Sequence, residues 1–231
     1  MTQLPKAILF DLDGTLLDRD ASVSALVQAQ YEEFQGLLTS VPRETFVTRI
    51  LELDAHGYGE KTEVYRQAGA EWDLPSAVAG RLTEHFWATY HSHCRPFPEV
   101  RLVLERLRGQ AVRLGIITNG QTRIQEPVVE RIGIDHLIDA VLISEREGVR
   151  KPAPENFHLG ASRLGVAPDE AWYVGDHPVT DIEGAHGAGL TAVWRFTSYF
   201  VPPEVPCRVV RDLDELLVLV DPRGWRNVER P

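Results

Sequence analysis

Two aspartates separated by one residue follow a short apolar run near the start of the chain, in the stretch AILFDLDGTLLD (residues 7–18). The first four residues of this stretch are continuously hydrophobic, which is typical of a strand buried on both faces. Gly14 and Thr15 then allow a turn, so Asp11 and Asp13 are expected at the end of that strand, where open α/β sheets place their active sites. Two like charges at this spacing are costly unless a cation or a shared proton compensates them, so the pair indicates a metal site or an acid/base pair.

Polar residues also follow later apolar runs. The run VRLGIITNG ends in TNG (residues 118–120), and AWYVGDHPVTD carries Asp176 and Asp181. Lys151 lies in RKPAPE, directly before a proline segment that can start a helix. Each cluster alone is weak evidence, because such residues are common in turns and on exposed surfaces. Their joint occurrence in this order is the informative observation.

The elements that must position these residues begin with an interruption of the sheet pattern. After the first strand, residues 18–94 place apolar residues three and four apart, which predicts a helical insert with Asp20 and Ser76 as candidate N-caps. This insert holds twelve acidic residues against six Lys and Arg, so it repels polyanions and offers no evident phosphate cradle. Phosphate chemistry is therefore expected outside the insert.

Beyond residue 94 the pattern changes to alternating strands and helices. Apolar runs recur at VRLGIITNG, DAVLIS, AWYVGD, TAVWRF and CRVVRD, with helical segments between them. This alternation predicts crossover units and a parallel sheet.

Composition restricts the possible functions. The chain has 231 residues, of which 43% are hydrophobic and 25% charged, as in an ordinary globular protein with one large domain or a core carrying a smaller one. No run approaches the ~18 apolar residues of a membrane span, so no membrane insertion is predicted. The start of the chain lacks the pattern of a secretory signal, and a cytoplasmic location is the expectation.

Charge and cysteine content exclude further classes of protein. The net charge is −10 and the isoelectric point is near 5.3. No basic cluster could neutralise a run of backbone phosphates, so no nucleic-acid partner is predicted. Cys94 and Cys207 are too few for a disulfide framework and are interpreted as reduced structural thiols. The oligomeric state is left open.

The combination DLDGT, TN, Lys and GDxxxxD resembles the four motifs of the haloacid dehalogenase superfamily, in the same order and over nearly the whole chain. The resemblance implies an α/β core with a doubly wound, Rossmann-like parallel sheet, formed by residues 1–17 and 95–231. It also implies that residues 18–94 are a small helical cap domain inserted after the first motif.

The same resemblance implies roles for the aspartates. Asp11 would be the nucleophile that forms an aspartyl phosphate, and Mg²⁺ would be held by Asp11, Asp176 and the backbone carbonyl of Asp13. The Asp13 side chain would protonate the leaving alcohol and later activate water. Thr15 and Asp181 would act around these ligands through hydrogen bonds or water.

The remaining motifs would bind the phosphate. Lys151 would neutralise charge on Asp11 and on the transferring phosphoryl group. Thr118 and the backbone of Asn119 would donate hydrogen bonds to the oxygens of that group.

Asp13 distinguishes a phosphatase from a dehalogenase, because the dehalogenases that this pattern resembles lack the second aspartate. A halide leaves without a proton, whereas the alkoxide of a phosphate ester needs one.

The sequence therefore predicts a Mg²⁺-dependent phosphatase acting on a small phosphorylated metabolite. Two alternatives remain open: a phosphomutase of the same superfamily, which would return the phosphoryl group to a sugar, and a non-catalytic phosphoaspartate switch. In the insert, His56, Tyr58 and Lys61 form a polar and aromatic patch around two glycines. This patch suits a cap loop that contacts substrate, and a plain loop between helices is equally consistent with it.

Overall fold

The computed structural model describes residues 4–221. Within this range the chain separates into two compact units. The segment Asp18–Arg95 is one unit, and the residues before and after it together make the other. The role of the first unit as a cap stays a prediction.

The second unit is built on a six-stranded sheet in the order β3-β2-β1-β4-β5-β6. Every neighbouring pair of strands runs parallel, and the predicted Rossmann-like α/β fold is confirmed. The strands are β1 (Ala7–Phe10), β2 (Arg113–Thr118), β3 (Ala140–Ile143), β4 (Ala171–Gly175), β5 (Thr191–Arg195) and β6 (Arg208–Val210).

The helices divide between the two units. Those of the segment Asp18–Arg95 are α1 (Arg19–Phe34), α2 (Arg43–Asp54), α3 (Lys61–Glu71) and α4 (Ser76–His93). Those of the sheet unit are α5 (Val100–Gly109), α6 (Thr122–Arg131), α7 (Ser144–Glu147), α8 (Pro154–Arg163), α9 (Gly184–Gly187) and α10 (Glu215–Val220). A π-helical turn, Pro178–Glu183, precedes α9. In the described residues no helix is both long and apolar enough to span a bilayer.

Strand β1 lies between β2 and β4, and this position explains its uniformly apolar sequence. All four of its residues are completely buried, because the strand is paired on both edges and covered on both faces. Phe10 is in register with Ile116 of β2 and Val174 of β4. The residues that follow β1, β2 and β4 therefore emerge side by side at one edge of the sheet.

The two predicted N-caps of the helical unit are wrong by one or two residues. Helix α1 begins at Arg19, and Asp18 caps it by accepting a hydrogen bond from the Ala21 N–H at 3.1 Å. Asp20 lies inside the first turn, where a carboxylate still favours the positive end of the helix dipole. Ser76 is the first residue of α4 rather than its cap.

Helix α8 approaches the sheet closely at Gly160. A Cβ atom there would lie 2.8 Å from Ile117 Cδ1 and 3.1 Å from Leu9 Cδ1, and both of these side chains are fully buried. We expect Gly160→Val to lower the free energy of unfolding by about 2 kcal/mol, because the added methyl groups overpack this contact. Urea denaturation followed by circular dichroism measures the loss.

The matched control is Gly80→Val in α4, where a Cβ atom would meet nothing within 4 Å. Both variants place the same β-branched residue in a helix, so only Gly160→Val adds the clash. Equal stabilities of the two variants would contradict the close packing of α8 on the sheet.

Candidate active site

Lys151 is the centre of the polar group at the carboxyl edge of the sheet. Its ammonium nitrogen lies 2.5 Å from Asp11 Oδ1, 2.7 Å from Asp181 Oδ1 and 2.8 Å from the Tyr173 hydroxyl. An ammonium group has three hydrogens, so these three acceptors match its donors. All four side chains are buried, and the group is consequently held in one arrangement.

Asp176, which follows β4 directly, adds a third carboxylate to this group. Oxygens of Asp11, Asp176 and Asp181 all lie within 4.8 Å of one another, and all three residues are buried. Gly14 permits this approach, because a Cβ atom at that position would lie 2.5 Å from Asp176 Oδ2. The backbone of Gly14 also has φ +81°, a conformation that glycine adopts without strain.

The electrostatics of the group are unbalanced, since one lysine faces three acidic residues. Burial, followed by repulsion from Asp181, raises the pKa of Asp176 to about 7. Burial also raises the pKa of Asp11, although Lys151 opposes the shift. For Lys151 itself, burial lowers the pKa but attraction to Asp11 and Asp181 outweighs it, so the pKa is raised. A positive charge added among these carboxylates would be stabilised.

The Asp13 side chain bonds to a different part of the site. Its Oδ2 accepts a hydrogen bond of 2.7 Å from Gln125 Nε2 on α6. The same nitrogen donates to the hydroxyl of Thr118, the last residue of β2, at 3.0 Å. The two aspartates of the first motif therefore differ in environment, because Asp11 belongs to the acidic group around Lys151 and Asp13 contacts a neutral amide.

Asn119 acts on the backbone of Lys151. Its amide nitrogen donates to the Lys151 carbonyl and its amide oxygen accepts from the Lys151 N–H, each at 2.9 Å. The sequence predicted a role for the Asn119 backbone and did not anticipate this side-chain pairing. The two contacts connect the loop after β2 to the loop that carries Lys151.

Strand β5 supports the site from the other side. The indole N–H of Trp194 donates to the Asp176 carbonyl at 2.7 Å. The guanidinium of Arg195 donates to the Gly14 carbonyl at 2.8 Å and stacks on the Phe97 ring at 3.6 Å from its centre. These contacts hold the loops after β4 and β1, in which two of the acidic residues lie.

Sequence reasoning missed four of these residues: Gln125, Tyr173, Trp194 and Arg195. A polar hydroxyl within the apolar run AWYVGD was the available signal for Tyr173, because a buried Tyr hydroxyl requires a partner. Asp181 also lies closer to the group than expected, since it bonds Lys151 directly and accepts from the His177 N–H at 3.0 Å.

The three residues predicted for substrate contact in the helical unit differ in exposure. Tyr58 and His56 are exposed, and the His56 ring lies 2.7 Å from an Asp20 carboxylate oxygen. Lys61 is buried, and its ammonium lies 2.7 Å from Asp54. Arg19 bonds the other oxygen of the same carboxylate, also at 2.7 Å. The Lys61 ammonium therefore pairs with a buried carboxylate inside the helical unit.

Several features of the sheet unit fit a divalent metal ion. The acidic group offers hard carboxylate oxygens, which Mg²⁺ prefers. Three carboxyl groups face one ammonium group, and repulsion from Asp181 adds to burial in raising the pKa of Asp176. The buried hydroxyl of Thr15 also finds no hydrogen-bond partner within residues 4–221. The residues present therefore suit a hydrated cation held by Asp11 and Asp176.

Comparison with known proteins agrees with this geometry. The family described as haloacid dehalogenase-like hydrolase matches residues 8–195, which include every motif residue of the site. The chain belongs to this family. It contains the second aspartate, the lysine and the paired acidic residues that the resemblance requires.

Similar proteins include named phosphatases. The chain is 34% identical to the glyceraldehyde 3-phosphate phosphatase of Methanopyrus kandleri, over 81% of this chain and 82% of that protein. It is 33% identical to the ribulose-1,5-bisphosphate 5-phosphatase of Halopiger xanaduensis, over 81% and 83% of the two chains. A solved haloacid dehalogenase-type phosphatase from Thermococcus onnurineus superposes with a TM-score of 0.64 at 26% identity, covering 93% of this chain and 97% of that one.

Burial, together with repulsion from Asp181, predicts how Asp176 affects stability. Because the pKa of Asp176 is raised from 3.8 to about 7, its contribution to folding is present in acid and is lost as the pH rises through about 7. In chelator at pH 8 we expect Asp176→Asn to be more stable than wild type, by a few kcal/mol at most. At pH 5 the difference should shrink. Thermal denaturation followed by circular dichroism measures both values.

Asp139→Asn is the control for loss of a carboxylate. Asp139 accepts 2.8 Å bonds from Arg108 and from the Leu114 N–H, so its removal should lower stability in the same experiment. Adding Mg²⁺ should raise the melting temperature of wild type and leave the melting temperature of Asp176→Asn unchanged. Equal melting temperatures of wild type and Asp176→Asn in chelator at pH 8 would contradict the raised pKa of Asp176.

Proposed function

We propose that the protein is a Mg²⁺-dependent phosphatase that hydrolyses a small phosphomonoester through an aspartyl phosphate on Asp11. The observation that carries the proposal is the separation of the two aspartates. Asp11 pairs with Lys151 in the acidic group, whereas Asp13 accepts from the neutral amide of Gln125. This difference in surroundings supports the role of nucleophile for Asp11 and that of acid and base for Asp13.

In the first step a carboxylate oxygen of Asp11 attacks the phosphorus atom. The bond from phosphorus to the alcohol oxygen breaks, and Asp13 gives its proton to that oxygen. The ammonium of Lys151 and the hydroxyl of Thr118 stabilise negative charge on the phosphoryl oxygens. The products are the free alcohol and a phosphorylated Asp11.

In the second step Asp13 acts as a base. It removes a proton from a water molecule, whose oxygen attacks phosphorus and displaces the Asp11 carboxylate. Inorganic phosphate leaves and both aspartates return to their starting states. A Mg²⁺ ion held by Asp11, Asp176 and the Asp13 carbonyl would offset the repulsion between the carboxylates and the phosphate dianion.

The proposed substrate is a small phosphorylated metabolite. The two phosphatases named above act on glyceraldehyde 3-phosphate and ribulose 1,5-bisphosphate, which supports this class without selecting one compound. We assign substrate selection to the segment Asp18–Arg95 acting as a cap, with His56 and Tyr58 as the candidate contacts. The cytoplasmic location stays a prediction.

Phosphate release from a panel of phosphomonoesters tests the function. We expect wild type to release phosphate with Mg²⁺ and to lose this activity in chelator. Asp11→Asn should reduce turnover by at least a thousandfold, because covalent catalysis and the attacking carboxylate are lost together. Malachite green detection measures the release.

Asp139→Asn again serves as the control, since it removes a carboxylate remote from the motifs. A tenth of wild-type activity remaining in Asp11→Asn would exclude Asp11 as the nucleophile. Rearrangement of sugar phosphates with little phosphate release would identify a mutase instead. A long-lived phosphoprotein without turnover would identify a switch.

A further inference from the structure

Gln125 occupies an unusual position for an amide in an amphipathic helix. It is buried on α6, and its single nitrogen donates to both Asp13 Oδ2 and Thr118 Oγ1, at 2.7 and 3.0 Å. A primary amide has two N–H donors, so both are used on side chains that the proposed function places at the reacting phosphate. We infer that Gln125 is a positioning residue for proton transfer by Asp13 and for phosphate binding by Thr118; the inference rests on the proposed function.

The chemistry of the partners determines which end of the amide faces them. Turning the amide over would place its carbonyl oxygen against Asp13 Oδ2, an acceptor against an acceptor whenever Asp13 is ionised, as it is when it acts as a base. In the observed orientation the bond to Oδ2 restricts rotation of the Asp13 carboxyl group. The hydroxyl of Thr118 accepts from Gln125, so its own hydrogen is not used in that bond and can be donated to a phosphoryl oxygen.

Gly120 provides the room that Gln125 needs. A Cβ atom on Gly120 would lie 2.8 Å from both Cγ and Nε2 of Gln125. The third residue of the TNG stretch is thus small because the amide lies against it. A substitution at Gly120 should displace Gln125 without removing any functional group from the site.

The amide oxygen of Gln125 argues against a purely structural role. It is buried and has no hydrogen-bond partner among the residues that the structure describes. A buried acceptor without a partner is unfavourable, and an apolar residue of the same shape would avoid it. The amide is therefore better explained by what its nitrogen positions than by packing.

The test compares two phosphate esters that differ in their need for a proton. Nitrophenolate leaves p-nitrophenyl phosphate without protonation, whereas the alkoxide of glyceraldehyde 3-phosphate requires an acid. The ratio kcat/KM includes only the steps up to release of the alcohol. We expect Gln125→Met to lower kcat/KM at least tenfold more for glyceraldehyde 3-phosphate than for p-nitrophenyl phosphate, with no fall in melting temperature.

Gly120→Ala should give the same preferential loss, and Gly109→Ala is its control because a Cβ atom there meets nothing within 4 Å. Gln30→Met is the control for loss of a buried amide. The Gln30 amide donates to the Leu82 carbonyl at 2.7 Å inside the helical unit. Gln30→Met should therefore be less stable than wild type, and the ratio of kcat/KM for the two esters should stay unchanged. Equal losses of kcat/KM for the two esters in Gln125→Met would overturn the role of Gln125 in proton transfer, and no loss for either ester would overturn both roles.

Crystal structures of wild type and Gln125→Met provide a readout that needs no turnover. A rotated Asp13 carboxyl group or a changed Thr118 rotamer in the variant supports the inference. If both side chains keep their wild-type conformations, the inference is overturned. An enzyme that hydrolyses no ester of the panel contradicts the proposed function separately, because the structural comparison still decides whether Gln125 positions these side chains.

Discussion

The burial of three carboxylates around one ammonium group is the constraint on which the rest of the site depends. Lys151 meets Asp11 and Asp181 directly, and Asp176 completes the acidic group. Taking such charges out of water is unfavourable unless they are paired. One lysine leaves an excess of negative charge, and this excess makes the group suitable for a cation and, with it, for an anionic substrate.

The parallel sheet makes this concentration of charge possible. Three neighbouring strands end at one edge, so residues more than a hundred positions apart in the sequence meet there without a long connecting structure. Side chains from β5 hold the neighbouring loops, since Trp194 donates to the Asp176 carbonyl and Arg195 donates to the Gly14 carbonyl next to Asp13. The buried acidic group is unfavourable for folding. The apolar sheet beneath it, in which β1 is completely buried, offsets this cost.

Much of the fold and the charged centre could be predicted from the sequence, because both depend on local patterns. Buried parallel strands are continuous apolar runs, and Asp11, Asp176 and Lys151 lie directly beside such runs or at a helix start. The predicted insert 18–94 came from a change in periodicity, which is also a local signal.

The residues that hold this centre in place could not be found in the same way. Gln125 lies in a helix of ordinary amphipathic pattern, and its partner Asp13 is 112 residues away. Lys61 reads as an exposed loop charge, yet Asp54 pairs with it in the interior of the helical unit. Such contacts depend on how elements pack, and a single sequence does not contain that information.

The central claim is that Asp11 carries the phosphoryl group, and chemical trapping tests it most directly. Wild-type enzyme would be mixed with excess glyceraldehyde 3-phosphate, quenched in acid and reduced with borohydride, which converts an acyl phosphate to an alcohol. Mass spectrometry of the peptide containing residue 11 should then show homoserine in place of Asp11, and Asp13 should be unchanged. Turnover without any reduced residue, or reduction at an aspartate other than Asp11, would contradict the account.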